Sequence, residues 1–488
     1  MAKRKKSTFE RLRSGSLNRQ QRKELERRFN AAEPEMEVVH PHAAGIDIGN
    51  ESHFVAVAAG RDARPVREFG SWTADVRRMA AWLKSCGITT VAMQSTGVYW
   101  IAVYDVLEQE GFDVYLVNAR GTKNLPGRKS DVQECQWLRK LHTHGLLRKS
   151  YRPPEAIRSV RTLWRLRERL VKAAGRAIQH MQKALTTMNV QLSNAISDIS
   201  GVTGMAIIRA ILAGQRDAQE LAKLRDARIQ ASAAEIAESL HGNWQEDVLF
   251  ELQQVVEAYD FHQQQIAACD AELQKYLAQL PSRQIGGGRA AAPTEPTAKQ
   301  RKKLQAKRKK KDNRPNFDIG AELERLMGVD LRIIDGIDVT TAQVIYSELG
   351  PDLSAWPTEA HFASWLELSP RRDVSGGKVI RQAKRAVKSR VANALRNAAQ
   401  TLSRSDSYLG ARYRQLRGRL GGLKAVKAMA RYLACLIYRL LTKGQAWVDR
   451  GAAYYENKRQ ERELQALQYK AAAKGMKLVP VAEPGGAR

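Results

Sequence analysis

The chain has 488 residues, enough for about three domains at roughly 150 residues each, and 43% of them are apolar, which builds ordinary cores and excludes a disordered basic tail. Its formal charge of +30 is concentrated: residues 1–30 carry +8, 299–314 carry +9 and 371–390 carry +7, a distribution that calls for a polyanionic partner, nucleic acid first. No apolar run nears the roughly 18–20 residues of a bilayer span, and the four cysteines form no C-x-x-C pair, so a membrane protein, a disulfide framework and a zinc ribbon are excluded and a cytoplasmic location is expected.

Residues 1–42 read as a basic N-terminal extension, helix-prone as far as Pro34. From 43 to 152 strands and helices alternate. Ala44–Ile48 and His53–Ala58 are β-type runs joined by a Gly49-Asn50 turn, which predicts a hairpin, and Arg67–Phe69 extends it. Thr73 stands as N-cap of a helix over 74–84 that Gly87 stops. Thr90–Met93 is a further strand, Tyr99–Glu110 a helix, Val114–Val117 a strand, and a helix runs from Asp131 to about His142. Hairpin first, then alternating β and α, describes a mixed α/β sheet.

Residues 153–280 read as helical. Leu252, Val255, Tyr259, His262, Ile266, Cys269, Leu273, Tyr276 and Leu280 recur at 3–4 spacing over four heptads, which predicts a coiled coil. Leu163, Leu166, Leu170, Ile178, Met181 and Leu185 form a second, less regular seam able to pair with it. Ser232 and Glu235 spell a capping box between the two. Residues 281–316 are a basic linker rich in Gly, Ala, Pro and Lys. Residues 317–450 are mostly helical around a Gly-punctuated stretch, Leu368 to Lys378, and 451–488 are a polar helical tail with a Pro/Gly end. His40/His42 and His142/His144 are H-x-H pairs expected at exposed loops or helix ends, and Trp100, Trp356 and Trp365 are expected in cores.

Three carboxylates stand out. Asp47 interrupts an apolar strand, where a charge is costly unless paired or bound to a cation. Asp131 and Glu134 lie three residues apart at a helix start and share a face. Together they are able to bind Mg²⁺ (or Mn²⁺), which takes oxygen ligands, and two such ions would clamp a phosphodiester. The same pair fits a second reading, in which Asp131 caps its helix and Glu134 completes a capping box. Ser375 precedes Gly376-Gly377, whose backbone amides can approach a phosphate; Lys378, Arg381, Lys384 and Arg385 follow with positive charge for a pentacoordinate phosphorus. A surface loop before a solvated basic helix accounts for the same residues. Arg128 and Lys129, beside the acid pair, are placed to steer a nucleic-acid strand.

Gly45-Ile46-Asp47, Met93-Gln94-Ser95-Thr96-Gly97-Val98-Tyr99-Trp100, Gly127 to Glu134 and Leu368 to Lys378 resemble, in this order, the motifs of the DEDD insertion-sequence transposases (family "one-ten"). The resemblance covers about 43–450 and leaves out the basic segments 1–35 and 281–316. It implies a RuvC/RNase H-like DEDD domain over 43–152, a coiled-coil middle over 153–280 and a C-terminal domain over 317–450 with a serine nucleophile. It also implies a recombinase of donor and target DNA, guided by an element-encoded structured RNA. Asp47, Asp131 and Glu134 match the first, third and fourth acids and Ser375 the nucleophile. The implied intermediate is a phosphoserine with a free 3′-OH, formed with Mg²⁺. Two positions depart: Gln94 stands where the second acid is expected, which should lower metal affinity, and Glu134 where Asp is usual. Ile334 to Ala342 resembles a helix-hairpin-helix turn, with Asp335 and Asp338 in place of the usual Pro and second Gly. The two half-sites lie about 240 residues apart in sequence, which predicts a dimer that assembles further. A hydrolytic RuvC-type nuclease for branched DNA, and an impaired transposase relative that only binds nucleic acid, are the competing expectations.

Overall fold

The computed structural model describes residues 19–20, 23, 36–95, 97–118, 130–284, 313–375, 378–383, 389–444 and 451–479. They fall into two compact units, Met1–Arg152 and Pro153–Arg488.

The first unit is built on a five-stranded mixed sheet in the order β3-β2-β1-β4-β5. β1 (Ala43–Ile48), β2 (Ser52–Ala56) and β3 (Val66–Gly70) form an antiparallel meander, with Gly49 N–H bonded to the Ser52 carbonyl at the first turn. α1 (Thr73–Ser85) follows. Trp72 is its N-cap and makes no side-chain capping bond, so Thr73 is a first-turn residue rather than the cap expected from sequence. β4 (Thr90–Gln94) joins β1 in parallel; α2 (Trp100–Gln109) crosses to β5 (Asp113–Val117), parallel to β4. Ile46, Ile48, Val55, Val91, Met93 and Leu116 turn one face of the sheet toward α1 and α2, whose Met79, Leu83, Val103 and Leu107 complete that core. α3 (Asp131–Thr143) covers the other face. Two covered faces explain why β1 and β4 read as almost continuous apolar runs. At the end of the unit, the Arg152 guanidinium lies 3.9 Å from the Tyr104 ring centre and pairs with Asp105 at 2.6 Å, pinning the chain to α2.

Helices dominate the second unit. α4 (Glu155–Thr187) and α9 (Glu246–Gln279) are its longest elements and pack along one another. Between them come α5 (Leu192–Ala195), α6 (Val202–Leu212), α7 (Ala218–Ala222) and α8 (Ala233–Ser239). Ser232 and Glu235 form the expected capping box on α8: Glu235 N–H donates to Ser232 Oγ at 3.1 Å and Ser232 N–H to Glu235 Oε2 at 2.7 Å. The first half of the α4 seam is shifted from the sequence expectation, with Trp164, Arg167 and Ala174 buried and Leu166 38% exposed, while Met181 and Leu185 in its second half are buried as expected. On α9 the buried set is Val248, Leu249, Leu252, Val256, Ile266, Cys269, Asp270, Leu273 and Leu277, so the predicted heptads hold only in part. The two helices make a packed antiparallel pair; nothing in the described residues establishes a coiled coil beyond it.

Arg167 belongs to the shifted face. Its side chain is 4% exposed and its Nε is hydrogen-bonded to Asp270 Oδ1, itself 3% exposed, on α9. Its second nitrogen reaches the Asn313 carbonyl at 2.8 Å, and Asn316 N–H donates to Asp270 at 3.0 Å. An ion pair withdrawn from water this far must be fully hydrogen-bonded to be tolerated, and the returning chain supplies the missing bonds. At the other end, Arg325 donates to the Leu277 and Leu280 carbonyls, which satisfies the C-terminus of α9, and Arg283 donates to those of Pro351 and Leu441. Both flanks of the basic segment 285–312 are thus fastened to this unit.

α10 (Ile319–Met327), α11 (Val339–Leu349) and α12 (Glu359–Trp365) lead into a β-hairpin of β6 (Arg371–Ser375) and β7 (Lys378–Ala383). α13 (Arg390–Thr401), α14 (Tyr408–Leu420), α15 (Gly422–Lys443) and α16 (Gly451–Ala472) complete the unit. Glu348 on α11 gathers Arg161 and Arg165 from α4 and Arg390 from α13, tying three elements to one carboxylate. Trp356 is buried as expected, whereas Trp365 is 41% exposed.

Candidate active site

The site in the first unit begins with a glycine. A Cβ at Gly45 would collide with the backbone of Cys135 and Arg139, so α3 rests directly on β1. Helix and strand run in opposite senses: Thr143 at the end of α3 bonds residues 39 and 40 ahead of β1, and the start of α3 lies at the far end of the strand. Asp47, two residues beyond Gly45, shares its face and therefore points to the α3 side. Ile46 pairs with Met93 in the parallel β1/β4 ladder, so Gln94, 5% exposed at the last position of β4, is the neighbour of Asp47 on that side. Asp47, Gln94, Asp131 and Glu134 therefore collect at one edge of the sheet, at the C-terminal ends of two parallel strands. That edge is where open α/β sheets take their ligands.

The N-terminus of α3 sets aside the capping reading of its acids. Ser130 is the N-cap and Gln133 its partner: Gln133 N–H donates to Ser130 Oγ at 3.4 Å, and Ser130 N–H to Gln133 Oε1 at 3.3 Å. Asp131 and Glu134 have no part in the capping box that sequence offered as their alternative role. The signal was present in Ser130 and Gln133 and was outweighed by the acids one residue further on. Burial, reinforced by the fields of Asp47 and then Asp131, pushes the Cys135 thiol up to about 12, so both carboxylates act on one buried atom.

All four candidate donors offer oxygen, the ligand a hard divalent cation prefers. Among the described residues, however, no three acidic, histidine or cysteine side chains gather closely enough to hold an ion. The donor set fits Mg²⁺ in kind, by its oxygen atoms. Arg128, Lys129 and Thr96 lie outside the described residues.

His142 departs from expectation. It lies in the last turn of α3 and is fully buried against the sheet, with Nε2 2.8 Å from Thr90 Oγ1 and its ring centre 4.6 Å from that of His40. Burial, then His40, draws it down to about 4, so it is a neutral core histidine rather than an exposed one.

Ser375 belongs to the second unit. Leu368 to Lys378 is not a plain loop: Ser375 is the last residue of β6 and pairs directly with Lys378, the first of β7. Asp373 pairs with Arg381, with an irregularity between Asp373 and Val374 that strengthens local twist. The register thus sets Ser375 at the tip of a ribbon, across from a lysine. Gly376, Gly377, Lys384 and Arg385 lie outside the described residues. The sequence missed the hairpin because Arg371-Arg372-Asp373 lacks the apolar alternation of a half-buried strand. In the turn before α11, Gly336 takes φ 87°, and Asp338 caps the helix by accepting from Thr341 N–H at 2.8 Å.

A mixed sheet with carboxylates at one edge, and a helical unit bearing a serine hairpin, define the class: residues 44–190 match the family model of DEDD-type transposases named for IS110. Residues 330–414, which hold the turn, α11, α12, the hairpin and α13, match the model described as Transposase IS116/IS110/IS902 family. The chain therefore carries an IS110/IS902-type transposase domain. No curated protein matches it. Among the described residues no helix is long and apolar enough to cross a membrane.

Proposed function

We propose that the chain is an active transposase that cuts and rejoins DNA through a phosphoserine. The observation that carries this reading is the gathering of Asp47, Gln94, Asp131 and Glu134 at one sheet edge, with the two helix-borne acids relieved of capping. Asp47, Asp131 and Glu134 would hold Mg²⁺, with the Gln94 carbonyl as a neutral fourth ligand. When bound, the ion supplies positive charge to the phosphate under attack and acidity to an oxygen beside it. Ser375 Oγ loses its proton and bonds to phosphorus. The 3′ oxygen of the broken P–O bond leaves and takes up a proton, and a different 3′-OH reverses the step on a new strand. Lys378 across the hairpin and Arg381 would offset the extra negative charge. The partners are donor and target DNA and a structured guide RNA, whose backbones suit the +8 and +9 segments.

Gln94→Glu restores a fourth charge to the edge and should lower the Mg²⁺ concentration for half-maximal strand transfer about tenfold. Strand transfer in Gln94→Glu but none in the wild type would show that this chain is an impaired relative. Clean hydrolysis without a covalent adduct would favour a RuvC-type nuclease.

A further inference from the structure

α4 carries its positive charge along one line. At about 100° per residue, Arg158, Arg165, Arg169, Lys172, Arg176 and Lys183 fall within an arc of about 80°. Val160, Arg167, Ala174, Met181 and Leu185 bury the opposite face. Packing uses the start of the line: Arg158 donates to the Pro153 carbonyl at 3.4 Å, and Arg165 pairs with Glu348 at 2.7 Å. Beyond them Arg169, Lys172, Arg176 and Lys183 are exposed and, among the described residues, enter no ion pair. From Arg169 to Thr187 the helix has no acidic residue.

Two structural uses of a helix cation do not apply to these four. The helix dipole favours cations in the last turn, and α4 has none there. Pairing across to α9 would use its acids, seven against one lysine, yet among the described residues the ion pair joining the two helices is the buried one of Arg167 and Asp270. Glu168, on the flank beside Lys172, is engaged by Arg390, and Lys172 borders a cleft that also holds Asp335 and Asp338. Like charges three and four residues apart repel, so Arg169, Lys172 and Arg176 burden the helix until an anion sits among them.

The row from Arg169 to Lys183 is about 21 Å long at 1.5 Å per residue, the rise of about six phosphates of one B-DNA strand. It stands on a convex helix and holds no Phe, Tyr or Trp between 169 and 187. Single strands are gripped by stacking bases on such rings, so the row suits the backbone of a duplex. The acidic α9 alongside repels the same polyanion and confines it to α4.

We propose that Arg169, Lys172, Arg176 and Lys183 on α4 form a track for the phosphate backbone of double-stranded DNA, which it positions without reading sequence. The choice of DNA rests on the transposase reading; the track itself does not require the phosphoserine.

The test is fluorescence anisotropy of the full chain with a labelled DNA duplex of mixed sequence over a series of NaCl concentrations, without Mg²⁺. Each phosphate contact adds about 0.9 to the slope of log affinity against log salt, so Arg169→Gln/Lys172→Gln/Arg176→Gln/Lys183→Gln should make the slope shallower by about three. The basic segments 1–30 and 299–314 are common to both proteins and cancel from the difference. Equal charge loss at exposed positions elsewhere on the second unit, Lys223→Gln/Lys275→Gln/Lys424→Gln/Lys470→Gln, should keep the wild-type slope. The α4 variant should melt at or above the wild type, since glutamine is a good helix former and the mutual repulsion is gone. An unchanged slope in the α4 variant, an equal change in the control, a melting temperature well below wild type, or a change seen with an RNA duplex and not with DNA would overturn the proposal. Loss of self-association by the DNA-free variant with its DNA slope intact would also overturn it, and would assign the row to the acidic helix of a second copy. Adduct formation at Ser375 is scored separately at saturating DNA, so failure here leaves the transposase reading standing.

Discussion

Asp47→Asn should reduce Mg²⁺-dependent DNA strand transfer by about 10²–10³-fold, the scale on which one group stabilising transition-state charge acts. The substitution keeps the shape and one oxygen of the side chain and removes its charge. Asp47 and Gln94 are neighbours on adjacent strands, so the variant would place two amides side by side and leave only the α3 acids to attract the ion. The close approach of α3 to β1 at Gly45 is a backbone contact that the substitution leaves in place. The melting temperature should therefore hold while activity falls. Activity within a few-fold of wild type in Asp47→Asn would remove the first unit from catalysis.

Asp270→Ala should destabilise the second unit by about 3–5 kcal/mol, because it leaves the Arg167 charge buried without its counter-ion. The Asn316 N–H loses its acceptor in the same step, so the chain that returns after 312 loses one of its two fastenings to the long helices. Chymotrypsin should then cut after Phe317 much faster than in the wild type. Replacing both partners, Arg167→Met with Asp270→Leu, should recover most of the stability, since an apolar pair of similar volume often equals a buried ion pair. It should not recover the protection of Phe317, because an apolar side chain cannot accept from the Asn316 amide. Urea unfolding and timed proteolysis of the three proteins separate the two effects.

The sheet was legible because its strands carry period-two or continuous apolar patterns and glycine turns: β1, β2, β4 and β5 lie within two residues of expectation. Asp47 was legible as a charge inside an apolar strand. What failed had physical causes. The first half of the α4 seam differs where a buried Arg167 with a partner 103 residues away imitates a solvent-facing residue in sequence. The serine hairpin was hidden by its charge. Only the sheet register shows Gln94 beside Asp47, because the pairing of β1 with β4 spans a 40-residue excursion that local pattern does not encode. The cap on α3 was misread for a simpler reason: serine, aspartate, glutamine and glutamate stood at Ser130, Asp131, Gln133 and Glu134, and two overlapping capping boxes one residue apart fit the same letters.

The most direct measurement is mass spectrometry of the protein–DNA adduct trapped in denaturant from a reaction with Mg²⁺ and the DNA ends of the element. The account predicts a nucleotide on the peptide that contains Ser375, and no adduct in Ser375→Ala. An adduct on any other residue, or full strand transfer by Ser375→Ala, would contradict it.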